Sequence, residues 1–348
     1  MERELKMMIG VAVVGAGHWG PHLIRNFNDH LSSHTLWVVD QAETRRKAID
    51  ERFPSVSVTA NVDDALNDDR VDAVVIATPT STHSGLVKQA LEANKHVLVE
   101  KPITNSLDDA AELCRLAEAS ERVLMVGHVF LFNPAIRAAK DYIDKGELGE
   151  LKYLSMTRTN LGPVRTDVNA AWDLASHDIS IANYWLGDTP DSVSASGGSW
   201  LNPGVHDVVF TTLRYPDDIM VNIEASWLNP RKRRLISVIG AERMLTVDDM
   251  DLNEPLRLYD KGVVGAASEV TDTFAGFRSQ IREGEVLIPH VTTGEPLRAE
   301  CDAFLARIRG EEGTLSNGRA GADVVAVLEA MDRSIANDGA QQEVEKVK

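Results

Sequence analysis

The strongest constraint on the fold is the stretch from Ile9 to Gly20, which reads I-G-V-A-V-V-G-A-G-H-W-G. Its first six residues, Ile9 to Val14, are apolar apart from a single glycine, which predicts a strand buried on both faces. The strand runs directly into a G-x-G-x-x-G turn built on Gly15, Gly17 and Gly20. The first glycine permits the tight turn, the second lets a pyrophosphate approach the backbone, and the third lets the next helix pack on the strand. We therefore predict a dinucleotide-binding turn, with His18 and Trp19 among its contacts.

The residues after this turn favour NAD as the dinucleotide. Leu36 to Val39 predicts a second buried strand, which ends at Asp40. A carboxylate at that position accepts hydrogen bonds from the ribose 2′-hydroxyl and repels the 2′-phosphate of NADP. Arg45 and Arg46 follow closely and are interpreted either as phosphate contacts or as the solvated face of the next helix. We expect NAD, with NADP the less favoured cofactor; a glycine-rich turn that binds nothing is the alternative.

Length and charge limit the kind of protein this is. A chain of 348 residues exceeds most single-core folds and predicts two domains. The formal net charge of −17 argues against binding to nucleic acid, which requires clustered Lys and Arg. No apolar run has the length of a membrane span, and the charged first residues do not resemble a signal peptide, so we expect a cytoplasmic protein. The two cysteines, Cys114 and Cys301, are interpreted as buried reduced thiols.

Strands and helices alternate regularly up to Gly127, which predicts a doubly wound parallel sheet in a Rossmann domain over residues 1–127. Ligands of such sheets bind at the carboxyl ends of the strands. Cofactor contacts are therefore expected among the residues that follow the predicted strands; these are Thr78, Pro79, His83, Glu100 and Lys101. His83 is also compatible with the first turn of a helix, and Lys101 with a surface lysine.

The pattern changes in the second half of the chain, residues 128–348, which we interpret as an α/β domain for substrate binding and oligomerisation. From Leu151 onward strands follow one another with short turns, and Ile219 to Trp227 alternates apolar and polar residues. Such alternation predicts a large open, mostly antiparallel sheet. The open face of this sheet is either solvated or meets another subunit, and we expect a dimer or tetramer formed through it. Four predicted helices cover the other face, over 134–145, 171–186, 297–309 and 319–337, and residues 341–348 are predicted to be frayed.

An acid/base pair is predicted at Asp173 and His177. The two residues are four apart in Ala171 to Asp178, so on a helix they share one face. A carboxylate oriented against an imidazole is a general acid/base unit. The same spacing suits two metal ligands, but no third ligand follows at a convincing spacing, so no metal is expected. A capping Asp173 beside a core histidine is the structural alternative.

Polar and basic residues near this pair are candidate substrate contacts. They follow a predicted strand or lie where the two domains join, and they are Arg158, Asn160, Arg165, Asn169 and His128. Such residues suit a phosphorylated or nucleotide-linked substrate. A solvated loop is the alternative interpretation.

Four motifs together resemble the Gfo/Idh/MocA family of nicotinamide-dependent sugar and cyclitol oxidoreductases. They are G-A-G-H-W-G at 15–20, A-T-P-T at 77–80, E-K-P at 100–102 and D-L-A-S-H at 173–177. The resemblance implies a Rossmann domain followed by an α/β domain with a large open sheet, and a catalytic set of Lys101, Asp173 and His177. Residues 19–27, 127–135 and 165–178 are most similar to a branch that oxidises C3 of UDP-N-acetylglucosamine or its uronate.

The predicted reaction is hydride transfer between a sugar secondary alcohol and NAD, without a metal. In this prediction His177, oriented by Asp173, accepts the hydroxyl proton, and Lys101 binds the same oxygen. The alternatives are a dehydrogenase of inositol or a free sugar in the same family, an NAD-dependent glycosidase, and a non-catalytic NAD-binding regulator.

Overall fold

A computed structural model describes residues 8–162, 164–165, 168–263, 281–311 and 315–347. By their internal contacts these residues form two compact units. The first contains the described residues of Met1–Phe132, Glu295–Glu329 and Lys346–Lys348. The second contains the described residues of Asn133–Gly294 and Ala330–Glu345. The domain division at residue 127 stays a prediction, but the return of residues 295–329 to the first unit is a feature that periodicity alone does not indicate.

The first unit is built on a six-stranded parallel sheet, as predicted. Its strands, in chain order, are β1 Ile9–Val14, β2 Ser33–Val39, β3 Ser57–Thr59, β4 Ala73–Ile76, β5 His96–Glu100 and β6 Leu124–Gly127. Their spatial order is β3-β2-β1-β4-β5-β6, with every pair parallel. This is the order of a doubly wound sheet whose ligands bind at the switch point beside β1 and β4. The buried runs β1 and β4 form its centre.

Helices connect these strands and cover the sheet. They are α1 Gly20–Asn28, α2 Glu43–Arg52, α3 Val62–Leu66, α4 His83–Glu92 and α5 Leu107–Ala119. Ser106 caps α5 by accepting a hydrogen bond from the backbone N–H of Asp109, and acidic residues follow in the first turn. The amphipathic α1 buries Leu23, Ile24 and Phe27.

One helix that was predicted to cover the second sheet packs in the first unit instead. The helix expected over 297–309 is α8 Pro296–Ile308, and it belongs to the first unit rather than to the second sheet. Its Phe304 ring meets the Phe27 ring of α1 edge-on, with centroids 6.3 Å apart. The following helix, α9 Gly318–Ala336, begins in the first unit and ends in the second. The prediction that the 297–309 helix covers the second sheet was therefore wrong, because the apolar stripe of a helix does not specify which sheet it covers.

The second unit is built on a nine-stranded, mostly antiparallel sheet, as predicted. Its longer strands are β7 Leu151–Leu161, β8 Ser192–Gly198, β9 Val208–Arg214, β10 Met220–Ser226, β11 Leu228–Gly240, β12 Met244–Asp248 and β13 Leu256–Tyr259. Short strands follow: β14 Gly262–Val263 and β15 Ile281–Arg282 pair with each other, and β16 Val286–Leu287 and β17 Gln342–Glu343 form the edges of the large sheet. The spatial order is β16-β13-β12-β11-β7-β10-β9-β8-β17, and β7 pairs with β10 in parallel.

Two local predictions for this unit were wrong. The tail expected to be frayed contains β17, in which Gln342 and Glu343 pair with Val193 and Ser192 of β8. The pairing forms because the edge of β8 offers unpaired backbone groups to any adjacent segment. The helix expected over 171–186 begins as a π-helical turn, Ala171–Ala175, and becomes α-helical only in α7, Ser176–Leu186. Helix α6, Pro134–Asp144, follows its prediction and is capped by Asn133.

Candidate active site

The glycine turn has the shape that a pyrophosphate requires. Gly15 has φ +99°, and a Cβ there would lie 2.5 Å from the Ala77 carbonyl oxygen. A Cβ on Gly20 would lie 2.3 Å from the Gly15 carbonyl oxygen, so neither glycine tolerates a side chain. Over Gly17, by contrast, the nearest atom is the Arg45 Nη1 at 4.0 Å. The turn thus leaves open backbone at its centre, and His18 and Trp19 are exposed on the residues that follow.

Asp40 lies at the end of β2 and is buried beside this turn. Its Oδ2 accepts a hydrogen bond from the Ala16 backbone N–H at 2.7 Å, and its Oδ1 accepts one from Ala42 at 2.8 Å. Each carboxylate oxygen retains a lone pair that can accept a ribose hydroxyl. The Arg45 guanidinium lies 3.5 Å from Oδ2, whereas Arg46 donates to the Asp40 carbonyl. These groups fit a dinucleotide with a free 2′-hydroxyl.

The turn after β4 lies next to Gly15. Thr78 and Thr82 share a hydroxyl hydrogen bond of 2.7 Å, and Pro79 is exposed. His83 is buried, with Nε2 2.9 Å from the Thr78 carbonyl oxygen and Nδ1 2.9 Å from the Pro102 carbonyl oxygen. His83 therefore ties the turn after β4 to the turn after β5. A direct contact between His83 and the cofactor stays a prediction.

Glu100, Lys101 and His128 lie together where β5 and β6 end. The Glu100 carboxyl lies so close to Gly127 that a Cβ there would be 3.2 Å from Oε2. Desolvation raises the pKa of Glu100 to about 7, and the charge of Lys101 acts against this increase. His128 is buried, and burial followed by the charge of Lys101 lowers its pKa to about 3. At neutral pH the His128 ring is therefore uncharged, and Lys101 supplies the positive charge of this group.

Glu300 of α8 is a buried carboxyl that interacts electrostatically with Glu100 and that the sequence did not indicate. It is buried, and its Oε1 has no hydrogen-bond partner among the residues described. Burial, and then the negative charge of Glu100, raise the pKa of Glu300 well above its usual range. A neutral carboxyl group is thus held within electrostatic range of the E-K-P turn. In the sequence, the burial of Glu300 is indicated only by its spacing from the apolar Phe304 and Leu305 on the same helix.

In the second unit, the Asp173 carboxylate accepts hydrogen bonds from Trp227 and Arg165. The Trp227 indole N–H donates to Oδ2 at 3.1 Å, and Arg165 Nη1 donates to Oδ1 at 3.3 Å. Trp227 is buried, whereas Arg165 is half-buried. π-helical turns of this kind occur frequently at functional sites. The Asp173 carboxylate is consequently fixed in orientation while part of it stays accessible.

His177 lies in the first turn of α7, immediately after the π-helical turn, and is half-buried. Its backbone carbonyl accepts a hydrogen bond of 2.7 Å from the Ser180 hydroxyl. The pairing of His177 with Asp173, expected from their spacing, stays a prediction.

The candidate substrate contacts differ in accessibility. Arg158 is buried and forms a bidentate pair with Asp178, with N–O distances of 2.8 to 3.1 Å. Burial raises the pKa of Asp178, and Arg158 opposes that rise. Asn169 donates to Asp332 at 3.1 Å and accepts from the Trp172 backbone N–H, so it caps the π-helical turn.

Asn160 donates to the Gly162 carbonyl oxygen and is half-buried. Arg165 is thus the candidate whose charge is both accessible and adjacent to Asp173.

Throughout the described part of the chain, no three His, Cys, Asp or Glu side chains are grouped so as to hold a metal ion. Every helix within the described ranges is too short or too polar to cross a bilayer.

The parallel sheet, its glycine turn and the Asp40 carboxylate beside that turn define a dinucleotide-binding protein with a Rossmann domain. Comparison with family models agrees with this class. A model described as an oxidoreductase family with an NAD-binding Rossmann fold matches residues 9–128, and a model of the C-terminal domain of the same family matches residues 136–246. The chain belongs to the Gfo/Idh/MocA family, and it is an NAD-binding sugar oxidoreductase.

Relatives with known names act on different substrates. UDP-N-acetylglucosamine 3-dehydrogenase from Acidithiobacillus ferrooxidans is 28% identical over 90% of this chain and 93% of its own. A crystal structure of that enzyme superposes with a TM-score of 0.81 over 95% of this chain and 98% of its own, at 25% identity. Inositol 2-dehydrogenase 2 from Paenarthrobacter aurescens is 31% identical over 63% of this chain and 68% of its own.

A further structure, GenD2 from gentamicin A biosynthesis in complex with NAD, has a TM-score of 0.80. It is 26% identical, over 97% of both chains.

Proposed function

We propose that this protein oxidises the C3 hydroxyl of a UDP-N-acetyl-hexosamine, or of its uronate, with NAD. The observation that carries the proposal is the orientation of Asp173 by Trp227 and Arg165 in the turn directly before His177. An oriented carboxylate beside a titratable imidazole is the arrangement that removal of a hydroxyl proton requires. The similarity to UDP-N-acetylglucosamine 3-dehydrogenase over 90% of this chain supports the choice of substrate.

The proposed roles follow from the chemistry of alcohol oxidation. A secondary alcohol releases hydride readily only when its hydroxyl proton also leaves. We assign proton removal to His177, and to Asp173 the stabilisation of the imidazolium that forms. The Lys101 ammonium donates a hydrogen bond to the same oxygen and stabilises its developing negative charge. Bound NAD supplies the hydride acceptor. The Gly17 backbone, Asp40 and Thr78 hold it.

The substrate roles are proposed from accessibility. Arg165 contacts the charged part of the substrate, because its guanidinium is half-buried and reaches the Asp173 carboxylate. The buried Arg158 acts as a positioning residue, since its guanidinium is committed to Asp178 on the helix that carries His177. Asn169 positions Asp173 by capping the π-helical turn. His128 and Asn160 are proposed to line the substrate site.

A second candidate function is oxidation of inositol or another free polyol. The observation that favours it is the 31% identity to inositol 2-dehydrogenase 2, which is higher than the 28% identity to the nucleotide-sugar enzyme. That similarity covers 63% of this chain. The reaction and the proposed roles of Lys101, Asp173 and His177 are the same in both candidates, so only the substrate separates them.

The two candidates are separated by a substrate panel. Purified protein is supplied with NAD and, in turn, with UDP-N-acetylglucosamine, its uronate, myo-inositol and scyllo-inositol, and the absorbance of reduced nicotinamide is recorded. We expect reduction with a UDP-sugar and not with the inositols. Reduction with an inositol alone would replace the first proposal by the second.

The panel also tests the NAD-dependent glycosidase alternative. Release of a free sugar without net reduction of NAD would identify a glycosidase instead of either dehydrogenase.

We further propose that a second copy of this chain covers the open face of the large sheet. Exposed apolar side chains occur on neighbouring strands of that face: Tyr153 on β7, Phe210 on β9 and Met220 on β10, with exposed fractions of 42%, 52% and 38%. Met220 is the register partner of Tyr153, and Glu224 of the same strand is the partner of Phe210. Apolar residues exposed on adjacent strands are typical of a protein interface.

A further inference from the structure

A cavity lies at the edge of the first sheet opposite the glycine turn. It has a volume of 520 Å³ and is formed where β5 and β6 begin, whereas Gly15 and Thr78 follow the ends of β1 and β4 and Glu100 is the last residue of β5. His96, Arg122 and Ile308 line both this cavity and a neighbouring one of 460 Å³. The cavity is therefore separate from the edge at which doubly wound sheets bind dinucleotides.

Two hydrogen-bond donors face each other in this cavity. The Val123 backbone N–H donates to His96 Nδ1 at 2.9 Å, so Nδ1 carries no proton and the ring proton is on Nε2. Arg122 Nη1 lies 3.4 Å from that Nε2. An arginine nitrogen has no lone pair to accept a hydrogen bond, so neither group satisfies the other. An acceptor that contacts both would supply the missing partner.

The ring is held in its neutral form. Burial, and then the charge of Arg122, lower the pKa of His96 to about 4, while Asp72 acts in the opposite direction. The donor at Nε2 is therefore present at neutral pH without a second ring proton.

Positive charge is concentrated here in a chain whose net charge is −17. Arg122, Arg307 and Arg319 all line the cavity. Arg319 pairs with Glu118 at 2.8 Å, and Glu121 is a second acidic lining residue. Among the residues that the structure describes, neither Arg122 nor Arg307 lies within ion-pair distance of a carboxylate. The positive charge of the site is consequently only partly compensated.

We propose that this cavity binds a phosphate group, either free or at the end of a small metabolite. Phosphate oxygens accept hydrogen bonds from several directions. The donors around the cavity also come from different directions, because His96 begins β5, Arg122 lies just before β6 and Arg307 lies at the end of α8. The first turn of α9 also lines the cavity at Gly318 and Arg319, and the positive end of this helix favours an anion. A cavity of 520 Å³ also accommodates the organic part of a small phosphorylated metabolite.

The test measures binding to the full chain by isothermal titration calorimetry, with NAD present at saturation. The probes are inorganic phosphate and glucose 1-phosphate. The variants are Arg122→Gln and Arg307→Gln, and the matched control is Arg52→Gln, which removes an exposed arginine of α2. Arg307 is exposed at the end of α8, so its replacement leaves the fold intact even where Arg122→Gln does not.

We expect saturable binding of at least one probe at concentrations below about 10 mM. Each cavity variant should weaken it about tenfold, and the control should leave it unchanged. Tighter binding of glucose 1-phosphate would identify a phosphorylated metabolite as the ligand, and equal binding would identify phosphate itself. The proposal would be overturned if neither probe shows saturable binding, or if Arg307→Gln and the unchanged protein bind the probes equally well. Competition between the probes and NAD would also overturn it. None of these results depends on the sugar that the enzyme oxidises.

Discussion

At the scale of single residues, the Trp227 indole N–H is one of the donors that orient the Asp173 carboxylate. Trp227→Phe removes the hydrogen bond to Asp173 Oδ2 and retains an aromatic ring in the core. A hydrogen bond to a carboxylate contributes about 1.5 kcal/mol or more, so we expect kcat to fall about tenfold. The measurement is steady-state reduction of NAD with the substrate identified by the panel.

Trp185→Phe is a matched control for this variant. Trp185 is equally buried in the second unit and donates its indole N–H to the Ile136 carbonyl oxygen at 3.0 Å. Both variants should lose stability in urea unfolding, by about 1 to 2 kcal/mol each. Equal kcat values for the two variants would show that Trp227 has only a structural role.

The buried carboxyl of Glu300 predicts a particular dependence of stability on pH. Because its folded-state pKa is raised, the folded protein keeps a proton that the unfolded chain releases. The contribution of Glu300 to the free energy of unfolding is fully present below the pKa that this group has in the unfolded chain. It is lost as the pH rises toward the pKa of the group in the folded protein. Glu300→Gln cannot ionise, so it should become more stable relative to the unchanged protein between about pH 5 and about pH 8.

Urea unfolding midpoints at the two pH values measure this change. Glu92→Gln, which replaces an exposed carboxyl at the end of α4, should show no such trend. Parallel pH profiles for Glu300→Gln and the unchanged protein would contradict the account of a neutral buried carboxyl.

At the scale of secondary-structure elements, cofactor choice resides in the residues between β2 and α2. Asp40→Ser removes the carboxylate that Arg45 contacts at 3.5 Å and frees this guanidinium for a 2′-phosphate. We expect the ratio of kcat/KM for NADP to that for NAD to rise at least about tenfold. The added change Arg45→Gln should cancel the gain. A ratio that stays constant in Asp40→Ser would show that other groups select the cofactor.

The accuracy of the sequence predictions also differed between elements. The buried strand β1 and the glycine turn were predicted because their pattern is local and each glycine has a steric reason to be there. The two-residue strand β17 was missed because polar residues pair at a sheet edge through their backbone alone. The unit in which α8 packs was mispredicted, because an apolar stripe shows that a helix is buried but not which surface covers it.

The same reasoning explains what the sequence showed of the candidate site. Asp173 and His177 were found because their spacing and family motif are local. Trp227 was not found, because it is 54 residues away from the carboxylate to which it donates. The alternation of apolar and polar residues in its strand showed only that its ring is buried. Glu300 was missed for a similar reason, because it comes from a distant helix. Single-sequence patterns indicate reactive residues more readily than the groups that orient them.

At the scale of the whole molecule, the open face of the large sheet predicts the assembly. Phe210→Glu places a charge among the exposed apolar side chains of β7, β9 and β10, and burying an unpaired charge in an interface is costly. We expect the mass from light scattering to fall from that of a dimer or tetramer to that of one chain. Leu31→Glu, at a residue with an exposed fraction of 95% in the first unit, is the control and should keep the assembly. An unchanged mass in Phe210→Glu would place the interface elsewhere.

The most direct test of the proposed chemistry replaces one residue from each unit. Lys101→Ala and His177→Ala are assayed for reduction of NAD with the preferred substrate and, separately, for NAD binding by calorimetry. The account predicts that turnover is lost in both variants while each still binds NAD, because Gly17 and Asp40 are unchanged. Full activity in both variants would contradict it.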